Sequence, residues 1–137
     1  SWYGRGPWEN YPDRKTSCLI GRWSSKVSSQ YTHYPRPQDS GNHEDVTEVT
    51  LTNKEGKGIR VTAIDWPFSF SALYYTVDDI YKATHDCDLK PRKEIILSLD
   101  AAVLGLGNSS CGPGVLKKYA IDKQKPHTLR VRFSLIK

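Results

Sequence analysis

Cysteine is scarce in this sequence of 137 residues, which has only three, at Cys18, Cys87 and Cys111. An odd number without any Cys-x-x-Cys spacing argues against a disulfide framework and against a zinc ribbon. The stretch His85–Asp88 carries side chains of the metal-ligand type, but its spacing matches no metal site that we can name. We therefore expect free or structural thiols and no bound metal.

Long apolar runs are also lacking. No run approaches the roughly 18 residues of a membrane-spanning helix, and no signal-peptide pattern begins at Ser1, so we expect no membrane association. The first fourteen residues are instead rich in tryptophan and tyrosine. Natural termini are more often polar and loose, so this start favours the interpretation that the chain was cut from a longer one.

Positive charge is in excess but is not clustered. The chain has 20 lysines and arginines against 15 acidic residues, a formal net charge of +5, which invites a nucleic-acid interpretation. The basic residues are scattered without a block of five or six, as on an ordinary solvated surface, so we expect no nucleic-acid partner. Nucleic-acid binding is the weakest of the three functional hypotheses that we consider, and salt-dependent binding of single-stranded DNA would support it.

Alternation of apolar and polar residues predicts mostly β-strands. Strands are expected over residues 46–52, 59–64, 68–73, 94–105, 115–121 and 128–136. The first two flank a glycine-containing turn and are predicted to form a hairpin. Residues 19–33 are predicted to be extended with a kink, whereas turns and X-Pro bonds indicate loops over 1–18 and 34–45. In the last strand, Leu129, Val131, Phe133 and Leu135 are expected to point inward.

One short helix is predicted near 77–84. Thr76 can cap its start, with Asp79 three residues later as an acidic variant of the capping box. Together these elements predict an all-β fold, an antiparallel β-sandwich with one short helix, and a single domain over 1–137.

Carboxylate pairs and activated nucleophiles are not recognisable. Glycoside hydrolysis needs two carboxylates about 5 to 9.5 Å apart, and the spacing of Glu9, Asp13, Asp39 and Asp100 identifies no pair. The loop "GLGNSSCGPG" lacks the third glycine and the lysine of nucleotide-binding loops. Its Cys111 has no histidine in a recognisable catalytic signature, so we predict no catalytic residue in this chain.

Four ordered segments carry a resemblance to a known family. They are "WYGRGPWENYPDR", "HYPRPQDSGNHEDV", "FSFSALYYTVDDIYKATHDCDL" and "LSLDAAVLGLGNSSCGPGV". The first is similar to a G-x-G-P-x-E-x-Y-x-D-R segment, and the last to a segment ending in a glycine-rich loop, of the large β-galactosidases of glycoside hydrolase family two. The resemblance runs over essentially the whole chain.

The resemblance implies a part of an enzyme rather than a whole one. It places the chain in the second half of the C-terminal domain, domain five, within a large β-sandwich similar to galactose mutarotases, a supersandwich. The parent would hydrolyse terminal β-D-galactosides, with the remaining domains and the β-galactoside as partners of this chain. The family's catalytic glutamates and its magnesium and sodium ligands lie in other domains, so the isolated chain is expected to be inactive. The compartment is left open.

The resemblance also implies a substrate-facing loop. In the best-known members, this glycine-rich loop presents a tryptophan to the active-site mouth, and the matching position here is Cys111. Cys111, Ser110 and Asn108 are therefore the predicted substrate-binding residues. A cysteine has no ring to stack on a sugar, so the acceptor site of the parent should be weaker or differently built. The loop at residues 38–41 also departs from the family pattern, at Asp39 and Ser40.

Two further expectations remain open at this point. The alternative from a different functional class is a free-standing carbohydrate-binding β-sandwich module. If the chain is instead half of a larger sandwich, cutting it exposes sheet edges and an apolar face, and we expect the isolated chain to self-associate.

Overall fold

Two antiparallel sheets form the framework of the molecule. The computed structural model describes residues 1–107 and 114–137. Its strands are β1 (Trp2–Gly6), β2 (Leu19–Trp23), β3 (His43–Val46), β4 (Glu48–Thr52), β5 (Gly58–Ala63), β6 (Phe68–Leu73), β7 (Ile96–Asp100) and β8 (Val131–Ile136). The large sheet has the order β2-β1-β4-β5-β8 and the small sheet the order β3-β6-β7.

Helical structure is limited to one short α-helix, α1 (Val77–Lys82), and three single 3₁₀ turns in the part of the chain that the structure describes. The predicted all-β antiparallel sandwich with one short helix is thus confirmed. No helix among these residues is long and apolar enough to cross a membrane.

The core lies between the sheets along one row of facing residues. Trp2 of β1 pairs with Val49 of β4, and Val49 pairs with Val61 of β5. Phe68 and Phe70 of β6 pack on this core row from the small sheet. Burial of each such side chain stabilises the fold by roughly 1.5–3 kcal/mol, so this row joins the two layers.

The predicted hairpin is confirmed as β4 and β5, in register from Glu48 opposite Thr62 to Thr52 opposite Gly58. The Asn53 side chain accepts hydrogen bonds from the backbone N–H groups of Glu55 and Lys57 across its turn. This local chemistry explains why the sequence pattern alone located the hairpin.

The helix start is also confirmed. The backbone N–H of Asp79 donates to Thr76 Oγ1 over 3.1 Å, and that of Thr76 donates to Asp79 Oδ2 over 2.9 Å. Helix α1 ends at Lys82, two residues before the predicted end at 84.

Two strands lie where loops were predicted. Strand β1 occupies part of the predicted turn region 1–18, and β3 begins inside the predicted loop 34–45. Gly4 belongs to the stretch "GRGP", whose glycines and proline contributed to the loop prediction over 1–18, but a Cβ built on it would lie 2.6 Å from Val46 Cγ2. The glycine is therefore required by close packing of β1 against β3 rather than by chain reversal.

Two predicted strands differ in the structure. Residues 115–121 form a 3₁₀ turn at Lys117–Tyr119 instead of a strand, because the Tyr119 N–H donates to the carbonyl of Leu116 in a local bond. The strand predicted over 94–105 is shorter and spans Ile96–Asp100.

The predicted inward face of the last strand is only partly correct. Val131 of β8 is half-buried against the core, but Phe133 is 61% exposed, Leu135 is 79% exposed, and Leu129 before the strand is also exposed. Phe133 and Leu135 share the inner face because they pair with Val61 and Ile59 of β5. The described part of the small sheet does not extend far enough to cover them.

Candidate functional site

The three predicted substrate-binding residues, Asn108, Ser110 and Cys111, lie outside the described residues. The structure describes the glycine-rich loop up to Gly107 and again from Gly114. The geometry of the candidate site is therefore that of the base of this loop and of the segments that hold it.

Asp13 holds the start of the loop. The backbone N–H of Leu106 donates to Asp13 Oδ1 over 3.0 Å, and that of Gly107 donates to Oδ2 over 2.8 Å. The N–H of Gly105 donates to the carbonyl of Tyr119 over 3.2 Å. A Cβ at Gly105 would lie 2.7 Å from Asp13 Oδ2, so glycine is needed here for the close approach.

The charge of Asp13 suits this role. Desolvation tends to raise the pKa of its carboxyl, but the backbone hydrogen bonds from Leu106 and Gly107 outweigh it, and the net shift is downward. A carboxylate that accepts backbone N–H bonds is stabilised in its ionised form. Asp13 is therefore ionised at neutral pH and engaged with the loop.

Glu9 is the centre of a second, more buried group of contacts. Its carboxylate accepts hydrogen bonds from the Gly41 N–H over 2.8 Å, from the Tyr11 hydroxyl over 3.2 Å and from the Tyr34 hydroxyl. The Arg14 guanidinium lies 3.6 Å away. The pKa of Tyr11 is raised, chiefly by burial and secondly by the negative charge of Glu9. With these partners, Glu9 ties the segment that contains Tyr11 and Arg14 to Tyr34 and Gly41.

Backbone and side-chain hydrogen bonds tie the same two segments together beyond Glu9. The Asn10 N–H donates to the Asn42 carbonyl, and Asn42 Nδ2 donates to the Asn10 carbonyl, each over 2.8 Å. Glu44 donates from its backbone to Asn10 Oδ1, and its side chain accepts a 2.6 Å bond from the Ser69 hydroxyl. The chain around residues 9–13 is thereby fixed against residues 41–44.

A polar cleft of about 250 Å³ lies beside these contacts and reaches Leu104, immediately before the loop. Its lining residues are Tyr11, Asp39, Ser40, Asn42, Ser71, Val77, Ser98, Asp100, Ala102, Val103, Leu104 and Ile121. Burial, followed by the negative charges of Asp39 and Glu44, raises the pKa of Asp100. Hydroxyl, amide and carboxylate groups in this arrangement can bind a polar ligand through hydrogen bonds.

The described residues outside the loop contain no group of three or more His, Cys, Asp or Glu side chains placed to hold a metal ion. In the stretch His85–Asp88, the Asp88 carboxylate accepts the backbone N–H of His85 over 2.8 Å. This stretch forms a turn. Cys18 is buried and Cys87 exposed, and both are free thiols.

Comparison with known proteins identifies the family. The model of the beta galactosidase small chain matches residues 1–135. This chain belongs to that family. It is 36% identical to a beta-galactosidase of Kluyveromyces lactis over 124 residues, which cover 90% of this chain and 12% of that protein.

Two bacterial relatives agree with this assignment. A beta-galactosidase of an Arthrobacter species is 33% identical over 137 residues, covering 96% of this chain and 14% of the relative. Beta-galactosidase BgaC of Bifidobacterium adolescentis is 35% identical, covering 98% of this chain and 13% of the relative. The chain thus spans only 12–14% of the length of these relatives.

In this member of the beta galactosidase small chain family, three of the segments singled out from the sequence meet at one place. Glu9 and Asp13 of the first segment contact Gly41 of the second and Leu106 of the last. The sequence suggested both carboxylates as candidates but gave no indication of their partners. Those partners are largely backbone N–H groups, which leave no trace in a pattern of side chains.

Proposed function

We propose that this chain is a C-terminal β-sandwich portion of a larger β-galactosidase of glycoside hydrolase family two, which hydrolyses terminal β-D-galactosides. Membership of the family and the small share of each relative that the chain covers support a part of a longer enzyme. The observation that carries the role of this part is the pair of hydrogen bonds from Leu106 and Gly107 to Asp13. Hydrogen bonds that fix the base of a loop suit a part that shapes a site rather than one that performs hydrolysis.

In this proposal, the chain is half of a supersandwich, and its glycine-rich loop borders the active-site mouth of the parent. Asn108, Ser110 and Cys111 would line that mouth. The catalytic glutamates and the magnesium and sodium ions of the enzyme would be bound by its other domains. The polar cleft at the loop base, with Asp39 and Asp100, would lie on the same side.

A chimera tests this role. The segment of the Kluyveromyces lactis enzyme that matches this chain is replaced by the chain itself, and hydrolysis of a β-galactoside is measured. We expect the enzyme without the segment to be inactive, the chimera to regain hydrolysis, and the chain alone to have none. An Asp13→Ala chimera should lose activity, because the base of the loop is no longer held.

Three results would contradict the proposal. The first is hydrolysis by the chain alone, which would place a catalytic pair within it. The second is full activity of the enzyme that lacks the segment, which would instead favour a free-standing carbohydrate-binding module. The third is a correctly folded chimera without activity.

The role of Cys111 has its own test within the chimera. Cys111→Trp would restore an aromatic ring that can stack on a sugar in the acceptor position. We expect stronger inhibition of the chimera by glucose after this change, with Cys111→Ser as the control without a ring. Unchanged inhibition would remove Cys111 from the substrate-facing residues.

Self-association of the isolated chain is part of the same proposal. The inner face of β8 presents Phe133 and Leu135 to solvent, next to Ile59 of β5. An edge strand with exposed apolar side chains on one face is a site for pairing with another copy. We propose that a second copy covers this face when the rest of the parent is absent.

A further inference from the structure

A row of side chains crosses the outer face of the large sheet, on the side opposite the core row. The register pairs Arg22 with Tyr3, Tyr3 with Glu48, Glu48 with Thr62, and Thr62 with Arg132. All five strands contribute one residue each. Because side chains alternate between the faces of a strand, this row is set by the same register that buries the core row.

Two adjoining cavities, of about 290 and 330 Å³, follow this outer row. Their linings share Glu48, Thr62, Ala63 and Ile64, so they form one continuous depression, the outer-face groove. Ligand sites in proteins measure roughly 300–1,000 Å³, and the groove as a whole falls in that range. It shares no lining residue with the polar cleft at the base of the glycine-rich loop.

Two aromatic rings border one end of the groove. Trp66 is 77% exposed, and Tyr3 is also exposed, with the Arg22 guanidinium 5.7 Å from its ring centroid. Most of this tryptophan is therefore open to solvent and available for contact. Such a ring offers a flat apolar face next to polar groups, a combination that is common at binding interfaces.

Both carboxylates in the groove, Glu48 and Asp65, are paired with arginines. Arg22 donates to Glu48 over 3.0 Å, and Arg60 lies 3.7 Å from the other oxygen of that carboxylate. At the Trp66 end, Arg130 donates to Asp65 over 2.9 Å. These pairs reduce the net field but keep donors and acceptors in fixed positions. An anion would need arginines without carboxylate partners; Arg132, which has none among the described residues, lines only the second cavity and not the one that contains Trp66. The Trp66 end therefore favours a neutral ligand with many hydroxyl groups.

We propose that the outer-face groove binds a neutral oligosaccharide. One pyranose ring stacks on Trp66, and its hydroxyls form hydrogen bonds with the Arg22–Glu48 pair. A pyranose has an apolar C–H face and a hydroxyl rim, which match the exposed ring and the paired charges beside it. This site is separate from the proposed substrate-facing loop and adds a second place where the chain meets carbohydrate.

The experiment titrates the 137-residue chain with lactose and with longer β-galacto-oligosaccharides by isothermal titration calorimetry. We expect saturable binding that Trp66→Ala weakens at least about tenfold, as for a central aromatic contact. Trp66→Tyr keeps a ring and should retain most of the affinity. Tyr81→Ala removes a ring that is 84% exposed on α1, away from the groove, and should change the affinity by less than about twofold.

Circular dichroism and thermal melting establish that each variant is folded before titration. The proposal would be overturned if the folded, unsubstituted chain showed no saturable binding. It would also be overturned if Trp66→Ala and Tyr81→Ala lowered the affinity equally. Preferential binding of a sulfated polysaccharide that declines steeply with salt would show an anion surface instead. A last outcome concerns the active chimera without sugar. If collisional quenchers of fluorescence do not reach Trp66 there, the groove is a contact between domains, and the proposal is also overturned.

The outcome is independent of the proposed role in hydrolysis. Trp66→Ala in the chimera should leave hydrolysis of a small β-galactoside unchanged, whereas Asp13→Ala should not. If the groove does not bind sugar, the proposed loop-shaping function is unaffected. If the loop-shaping function is contradicted, the proposed sugar binding in the groove is likewise unaffected.

Discussion

Val61 and Phe133 face each other across the ladder between β5 and β8, yet Val61 is 1% exposed and Phe133 is 61% exposed. Both side chains lie on the inner face of the large sheet. The small sheet covers Val61, and its described part does not reach Phe133. The large sheet therefore presents a wider apolar face than the small sheet buries, which supports the proposal that this chain is part of a larger sandwich.

The first prediction concerns Phe133. If a second copy covers the inner face of β8, Phe133→Ser should reduce self-association of the isolated chain in sedimentation and light-scattering experiments. The stability of the monomer should change by only about 0.5 kcal/mol, because the side chain is already largely in water. Val77→Ser, which removes an exposed apolar side chain on α1, serves as the control. An unsubstituted chain that remains monomeric at high concentration would contradict the prediction.

The second prediction concerns the base of the glycine-rich loop. Asp13→Ala should accelerate hydrogen exchange at the Leu106 and Gly107 amides, since both donate to that carboxylate. Hydrogen bonds to a charged group contribute about 1.5–3 kcal/mol, and partial exposure of Asp13 places the expected loss of stability near 1–2 kcal/mol. Asp122→Ala removes a carboxylate that accepts a local backbone bond from Gln124 and should leave both amides unchanged.

The protection of these amides should also depend on pH. The pKa of Asp13 lies below its ordinary value in the folded chain, because the backbone bonds outweigh desolvation. Its contribution is therefore complete above the ordinary value near 3.8 and is lost as the pH falls through the lowered value. Exchange rates of the two amides, corrected for intrinsic chemistry, should rise in that acid window and not between pH 5 and 7.

The third prediction concerns His43, whose ring stacks on Phe70 and lies 4.3 Å from the Trp2 ring centroid. Burial lowers the pKa of this imidazole from 6.5 to about 4. As the pH falls, the unfolded chain therefore binds a proton at His43 before the folded chain does. The contribution of His43 to stability is complete above pH 6.5 and is lost as the pH falls toward 4. The loss attributable to this group is about 3 kcal/mol over that window.

Urea denaturation at several pH values checks this expectation. The loss between pH 6.5 and 4 should shrink in His43→Gln and persist in His127→Gln, which removes an exposed imidazole. If His43→Gln does not fold, NMR titration of the imidazole in the parent chain measures the same quantity. Protonation of His43 near pH 6.5 would contradict the prediction.

The fourth prediction concerns Asp100 in the polar cleft. Burial and the neighbouring charges of Asp39 and Glu44 raise the pKa of its carboxyl above the ordinary value. The unfolded chain then ionises more readily, so this group costs stability as the pH rises above about 3.8. Asp100→Asn should raise the free energy of unfolding at pH 7, and the gain should disappear near pH 3. Equal stability of the two proteins at pH 7 would count against it.

The parts of the fold that were predictable from the sequence depend on local chemistry. The β4–β5 hairpin follows from alternation around a glycine turn, and the start of α1 follows from Thr76 and Asp79. Strand β1 was not predictable, because its partner β4 lies far along the chain and Gly4 resembles a turn residue. The same difficulty applies to the candidate site, where Asp13 and its partner Leu106 are separated by 93 positions.

The contacts of Glu9 have a consequence for which side chain the position can accept. The Gly41 N–H can only donate, so it requires an acceptor at Oε2, whereas the Tyr11 and Tyr34 hydroxyls can either donate or accept. Glutamine could keep its carbonyl oxygen toward Gly41, but its amide N–H groups would then lie at the Oε1 position, 3.6 Å from the Arg14 guanidinium. We therefore infer that the position in the segment "GRGPWENYPDR" favours glutamate, which presents an acceptor to Gly41 and a second oxygen to Arg14. A residue that looks in the sequence like a catalytic carboxylate is thus required by the architecture itself.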